Sequence, residues 1–241
     1  MLACKKHLTI FPKPAILVSM MNHAQTNELR SHFCSALMRL SNNKLSSKLI
    51  EGVWDTQIES QSVLQYHNLE LTWNDLDMAR CLHLPLSNHV IVAAVLRYSC
   101  FDPKSFNNVP KAIHYANCLL HKACSINETD VSKISALIKD SYALNPINGE
   151  HESNLMHDMK MSRLSYLYPL FLKGRRDIRQ EYHHLNDYSF YAGQKALFGY
   201  YNGERLFTLA AFSRCLPQAR ENIEAVLSDL EEKLKEFEKT T

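Results

Sequence analysis

Three sets of residues have the chemistry and spacing to form a site. His157-Asp158 is the single His-Asp dipeptide, within NLMHDMKMSRL. An imidazole beside a carboxylate could ligate a metal or relay a proton; the competing reading is a solvent-facing pair on an amphipathic helix. His114, Cys118 and His121 recur at i, i+4 and i+7, on one face of a helix. That face could offer two imidazoles and a thiolate to zinc, though nothing in the sequence supplies the remaining ligand, and the same spacing serves packing. Lys173, Arg175, Arg176 and Arg179 are a basic run, with Arg163 one helix earlier, in or beside a stretch holding seven of the eleven tyrosines, residues 166–201. Cations interleaved with aromatics can bind a partner's phosphates and stack bases. Asp177 and Glu181 on the same segment can pair with them locally. No G-x-S-x-G, P-loop, G-x-G-x-x-G or HExxH occurs, and no cysteine has a local catalytic signature. No catalytic residue, metal or cofactor is assigned on this basis.

The elements that must position these groups are helices. Glycine occurs 6 times in 241 residues, well under the usual ~7%, and sheet folds spend glycine on turns. Net charge is +2, which points to no particular partner. The seven cysteines (4, 34, 81, 100, 118, 124 and 215) are odd in number and contain no CxxC, so reduced thiols in a cytoplasmic protein are expected. Lys5 and Lys6 precede LTIFPKPAILVSMM, where prolines interrupt the apolar run and no A-x-A-like site follows. A signal peptide is therefore not expected. No apolar run reaches ~18 residues, so no membrane span is expected.

Residues 1–14 read as an extended lead-in and Ala15–Met21 as a short buried helix. Asn27 is taken as the N-cap of a helix through Leu40. Residues 45–53 and 57–64 read as two further helical pieces. Thr72, with Asp75 as an acidic capping-box partner, opens the next helix. Ser87 caps the most apolar helix, Pro110 opens another, and Asn127 with Asp130 caps a third. The Asn145–Glu150 punctuation marks a boundary between regions 1–148 and 149–241. Beyond it, helices are predicted over 152–172, 176–186, 188–200 and 204–215, with Gly174 and Gly203 as breaks. Pro217 opens a last amphipathic helix with a stripe of Ile223, Val226, Leu227, Leu230, Leu234 and Phe237, expected to dock on the chain itself.

Residues 60–150 resemble the second half of an HDOD domain, the non-catalytic relative of HD-type phosphohydrolases. The resemblance rests on HNLELTWNDLDMARCLHLP, LPLSNHVIVAAVLRYSC, VPKAIHYANCLLHKAC and ALIKDSYALNP. It implies an HD-like helical bundle. It also implies where metal ligands of the catalytic relatives should stand, and there this chain has Ser99, Cys100 and Asn117. Residues 1–66 contain His7, His23 and His32 but no His-Asp pair, and are short for the missing half of the domain.

The expectation is an all-α, cytoplasmic protein of bacterial type: a multi-helix HD-like bundle with a helical C-terminal extension. It would act in signalling by binding another protein. One alternative is a metal-dependent HD-type phosphohydrolase in which His157, Asp158 and at least two of His114, His121, His183 and Asp187 converge. A second is a helical nucleic-acid binder using residues 160–205.

Overall fold

The most apolar helix lies where helices on several sides cover it. Every side chain from Val90 to Leu96 is buried, on all faces, so this helix has no solvent side. Burying a Val, Leu or Ile contributes about 1.5–3 kcal/mol, and five of these seven residues are of that kind.

The computed structural model describes residues 21–145 and 150–240. The expected lead-in over 1–14, nearly all of the Ala15–Met21 segment, and most of the Asn145–Glu150 punctuation lie outside them. The described chain is all-helical and contains no strand. Ten α-helices follow in order: α1 (His23–Leu40), α2 (Ser47–Ser62), α3 (Leu69–Cys81), α4 (Asn88–Leu96), α5 (Asn108–Cys118), α6 (Glu128–Tyr142), α7 (His151–Ser162), α8 (Tyr168–Glu181), α9 (Asp187–Gly203) and α10 (Leu216–Thr240). A π turn (Leu119–Ala123) extends α5, and 3₁₀ turns occupy Arg163–Ser165 and Ala210–Cys215.

Helices α1 and α6 flank α4, α3 also touches it, and α7 packs across α3 and α6. Helices α9 and α10 form a long pair, and α10 also covers the Arg163–Ser165 turn. The stripe on α10 faces inward over its first half, where Ile223, Val226 and Leu230 are buried. Farther on, Phe237 meets the rings of Tyr188 and Tyr191 on α9. The last helix thus docks on its own chain.

Helix starts follow local capping chemistry. The Ser87 and Asn127 side chains accept from Val90 N and Asp130 N, as expected. Two other starts differ from the sequence reading. Asn22, in a reciprocal capping box with Gln25, opens α1 in place of Asn27. Asn68 accepts from Leu71 N and opens α3, which leaves Thr72 and Asp75 buried inside the helix. The two pieces expected over 45–64 form one helix, α2. The predicted 152–172 helix is interrupted after Ser162 and restarts with Pro169 in its first turn. Gly174 does not break α8; it sits mid-helix against the ring of Tyr66, where an added Cβ would lie 3.1 Å from Tyr66 Cε2. Among the described residues, the left-handed turns are made without glycine, by Asn42, Asn43, His83 and Ser125.

Candidate functional site

The His157-Asp158 pair is buried, not solvent-facing, with Asp158 fully enclosed. Asp158 accepts 3.0 Å bonds from Thr208 N and Oγ1 and a 2.7 Å bond from Leu209 N. Its carboxylate therefore caps the 3₁₀ turn that begins at Ala210. His157 is held between Asp158 Oδ1 (3.1 Å) and the Leu144 carbonyl (3.3 Å). The other groups that a rearranged metal centre would need are engaged elsewhere. His183 Nδ1 faces Gln180 O at 3.0 Å, and Asp187 pairs with Arg179 at 2.7 Å. His114 Nε2 lies 3.7 Å from Cys118 Sγ on α5, while His121 pairs with Glu128 at 2.7 Å instead of turning toward them. Among the described residues, no three His, Cys, Asp or Glu side chains come together as a metal site.

The positions singled out by the family resemblance hold neutral ties between helices. Ser99 donates to Gln57 Oε1, and Gln57 Nε2 donates to Tyr115 OH at 2.7 Å. Asn117 Oδ1 accepts from Ser135 at 2.6 Å. Cys100 is half-buried, and burial raises its thiol pKa, so it is a thiol and not a thiolate near neutrality.

The basic run does not form one cationic face. Lys173 pairs with Asp177 at 2.8 Å, Arg175 with Asp229 at 3.3 Å, and Arg179 with Asp187. Arg179 also donates to the Tyr182 and Leu185 carbonyls. Arg176 is exposed. Arg163 leaves the run altogether and turns into the protein.

Arg163 joins a node that the sequence reading missed. Asp75, on α3, accepts from Arg97 Nη2 (2.5 Å), Arg163 Nε (2.9 Å) and Arg163 Nη2 (2.5 Å). Asp75 and Arg97 are fully buried and Arg163 nearly so. Two guanidinium groups therefore share one carboxylate away from water. Burial pushes the Arg163 pKa down, but Asp75 together with Tyr98 and Tyr66 more than offsets it, and the group stays charged. Arg97 Nε and Nη1 have no protein partner. A signal for the node existed. Asp75 stands among the buried Leu71, Leu76 and Ala79 of α3, and Arg97 follows seven buried apolar residues. A charge on a buried face requires a partner.

Beside the node, α3, α7, α8 and α9 line a cavity of about 230 Å³ that is partly open to solvent. Lys160, Arg163, Lys173 and Arg175 line it, with Glu70 and Asp177 as its carboxylates and Tyr66, Tyr166, Phe198 and Tyr201 among its rings. Lys160 donates to the Ala143 carbonyl. Burial first, then the neighbouring Arg163 and Arg97, bring its pKa down to about 7. At the cavity edge His67 is stacked on Phe101, with ring centroids 3.9 Å apart. Burial keeps His67 neutral, so its Nδ1–H donates to Glu181 Oε2 at 2.6 Å. Glu181 Oε1 accepts from the backbone of Tyr66 and His67, which fixes the segment leading into α3. The Tyr166 hydroxyl is buried and has no hydrogen-bond partner.

No family model, curated protein or solved structure matches the chain.

Proposed function

We propose that this chain is a non-catalytic regulatory protein that works by binding another protein, in a cytoplasmic signalling setting of the kind the HDOD resemblance implies. One observation supports this reading above others. The polar side chains best suited to HD-type chemistry serve structure: Asp158 caps a turn, His157 faces a carbonyl, and His121 holds Glu128. A carboxylate whose lone pairs are occupied by backbone N–H groups is a poor metal ligand, since an ion must displace bonds already made. The wholly exposed Phe106, on the loop between α4 and α5, and the largely exposed Val63 supply apolar surface for a partner. Among the described residues no helix is long and apolar enough to cross a membrane.

Elemental analysis of the purified protein tests the reading. No stoichiometric iron, manganese or zinc is expected. A stoichiometric metal lost in His157→Ala or in the more exposed His114→Ala variant would overturn it in favour of a phosphohydrolase.

A further inference from the structure

The cavity beside the Asp75 node holds donors that the protein itself leaves unanswered. The buried Tyr166 hydroxyl lacks a partner although it lies near Arg163, Asp75 and Tyr66. Arg97, which does not line the cavity but shares Asp75 with Arg163, has two buried nitrogens without a hydrogen-bond partner. The node carries two cations to one anion, and close by stands Lys160, whose pKa of about 7 lets it take up a full charge when an anion is bound beside it. Burying an unsatisfied polar group is unfavourable, and native proteins carry few of them. Lys160 uses one of its three N–H donors on Ala143 O, which leaves two. The carboxylates of the lining do not cancel this charge. Asp177 is occupied by Lys173, so the Glu70 carboxylate is the one lining anion left to set against Arg163, Arg175 and Lys160.

We infer that the cavity between α3, α7, α8 and α9 is a binding site for a small organic anion that joins an oxyanion to a flat ring. The oxyanion takes Lys160 and the Tyr166 hydroxyl, and its charge offsets the excess at the node. The ring lies among Tyr66, Phe198 and Tyr201, where planar surfaces stack or meet edge to face. The volume sets the size class: about 230 Å³ is below the roughly 300–1,000 Å³ of pockets for drug-sized ligands. A single ring with one acidic substituent fits that limit. This site goes beyond the proposed protein-binding role and stands or falls separately from it.

Calorimetric titration of the full chain with benzoate, and with the neutral, equally shaped benzamide, tests the site. Benzoate is expected to bind at least about tenfold more tightly than benzamide, the effect of one charge-assisted hydrogen bond. Tyr166→Phe and Lys160→Met are each expected to weaken benzoate by about tenfold or more. The ligand-free melting temperature of Tyr166→Phe should equal or exceed that of the wild type, because it removes an unpartnered buried hydroxyl, whereas Lys160→Met also gives up the bond to the Ala143 carbonyl. Tyr166→Phe keeps the ring and so keeps the test open if Lys160→Met does not fold. Absence of benzoate binding, equal binding of benzamide, or unchanged benzoate affinity in the Tyr166→Phe variant overturns the inference.

Discussion

Replacing Asp75 by Asn strikes the one point where three distant segments share a charge. The side chain keeps its shape but loses the charge that compensates two guanidinium groups. Asp75 accepts three bonds from Arg97 and Arg163, and none of these groups can turn to water, because Asp75 and Arg97 are fully buried. Arg97 already has two unpartnered nitrogens, so it has no spare acceptor to fall back on. Removing one partner of a buried ion pair destabilises by about 3–5 kcal/mol, chiefly because the other charge is left unpaired. Against a total stability of about 5–15 kcal/mol, that is a large fraction. For a chain of this size, each kcal/mol lowers the melting temperature by about 2–4 °C, so Asp75→Asn should melt about 6–20 °C below wild type. Far-UV circular dichroism on heating measures it, with urea unfolding as a second route. A fall of less than about 3 °C would refute the reasoning, since it would mean the charges are not enclosed as described. A companion variant separates charge from packing. Asp75→Leu with Arg97→Met and Arg163→Met removes all three charges together and should recover most of the loss, because apolar replacement of a whole buried ionic cluster is often neutral or stabilising.

Other perturbations test other parts of the fold. Asp158→Ala frees the amides of Thr208 and Leu209 and should cost about 2–3 kcal/mol, with faster amide exchange confined first to residues 208–215; unchanged exchange there would contradict the capping role. Gly199→Ala, in the open on α9, should stabilise by about 0.5–1 kcal/mol through helix propensity. Gly174→Ala should show no such gain, because its new Cβ meets Tyr66; equal gains at both sites would show that the α8–Tyr66 contact is loose. Burial raises the Glu181 pKa, but the hydrogen bonds from His67 and two backbone amides lower it more, to a net value below the usual one. Its stabilisation is complete above the unfolded-state value near 4.5 and is lost as pH falls through the lower folded value. Between about pH 5 and pH 3 the wild type should therefore lose more stability than Glu181→Gln, and parallel curves would count against the dyad.

Local signals were legible wherever one dominated. Ser87 and Asn127 each precede a clean apolar pattern, and both are caps. The α10 stripe recurs over many turns, so its buried face was plain. At α1 and α3 two capping residues stand within five positions of one another, Asn22 with Asn27 and Asn68 with Thr72. Either can cap, and the choice is made by packing upstream and downstream. The Asp75 node lay beyond such reasoning, because its partners are 22 and 88 residues away. What the sequence offers there is a lone charge on an apolar stripe, three residues after Thr72, a spacing that also fits a capping box. The basic run misled in the opposite sense. Five cations look like one surface, but four of them find acidic partners in Asp75, Asp177, Asp187 and Asp229, of which only Asp177 lies within the 173–179 run itself.

The π turn at Leu119–Ala123 bears on how the chain tolerates changes of length. A π turn carries one residue more than the α turn it replaces. Within α5 itself, loss of a residue would rotate everything that follows by about 100° and pull Leu120 out of the core. Loss of the exposed Lys122 instead lets the turn relax to α geometry with Leu120 already placed, and the shift is taken up between Ala123 and Ile126, where the buried Cys124 and Ile126 must re-seat before the Asn127 cap begins a new helix. The extra residue makes this turn a slip joint, the place where descendants of this sequence can shorten by one position without re-registering the helices on either side.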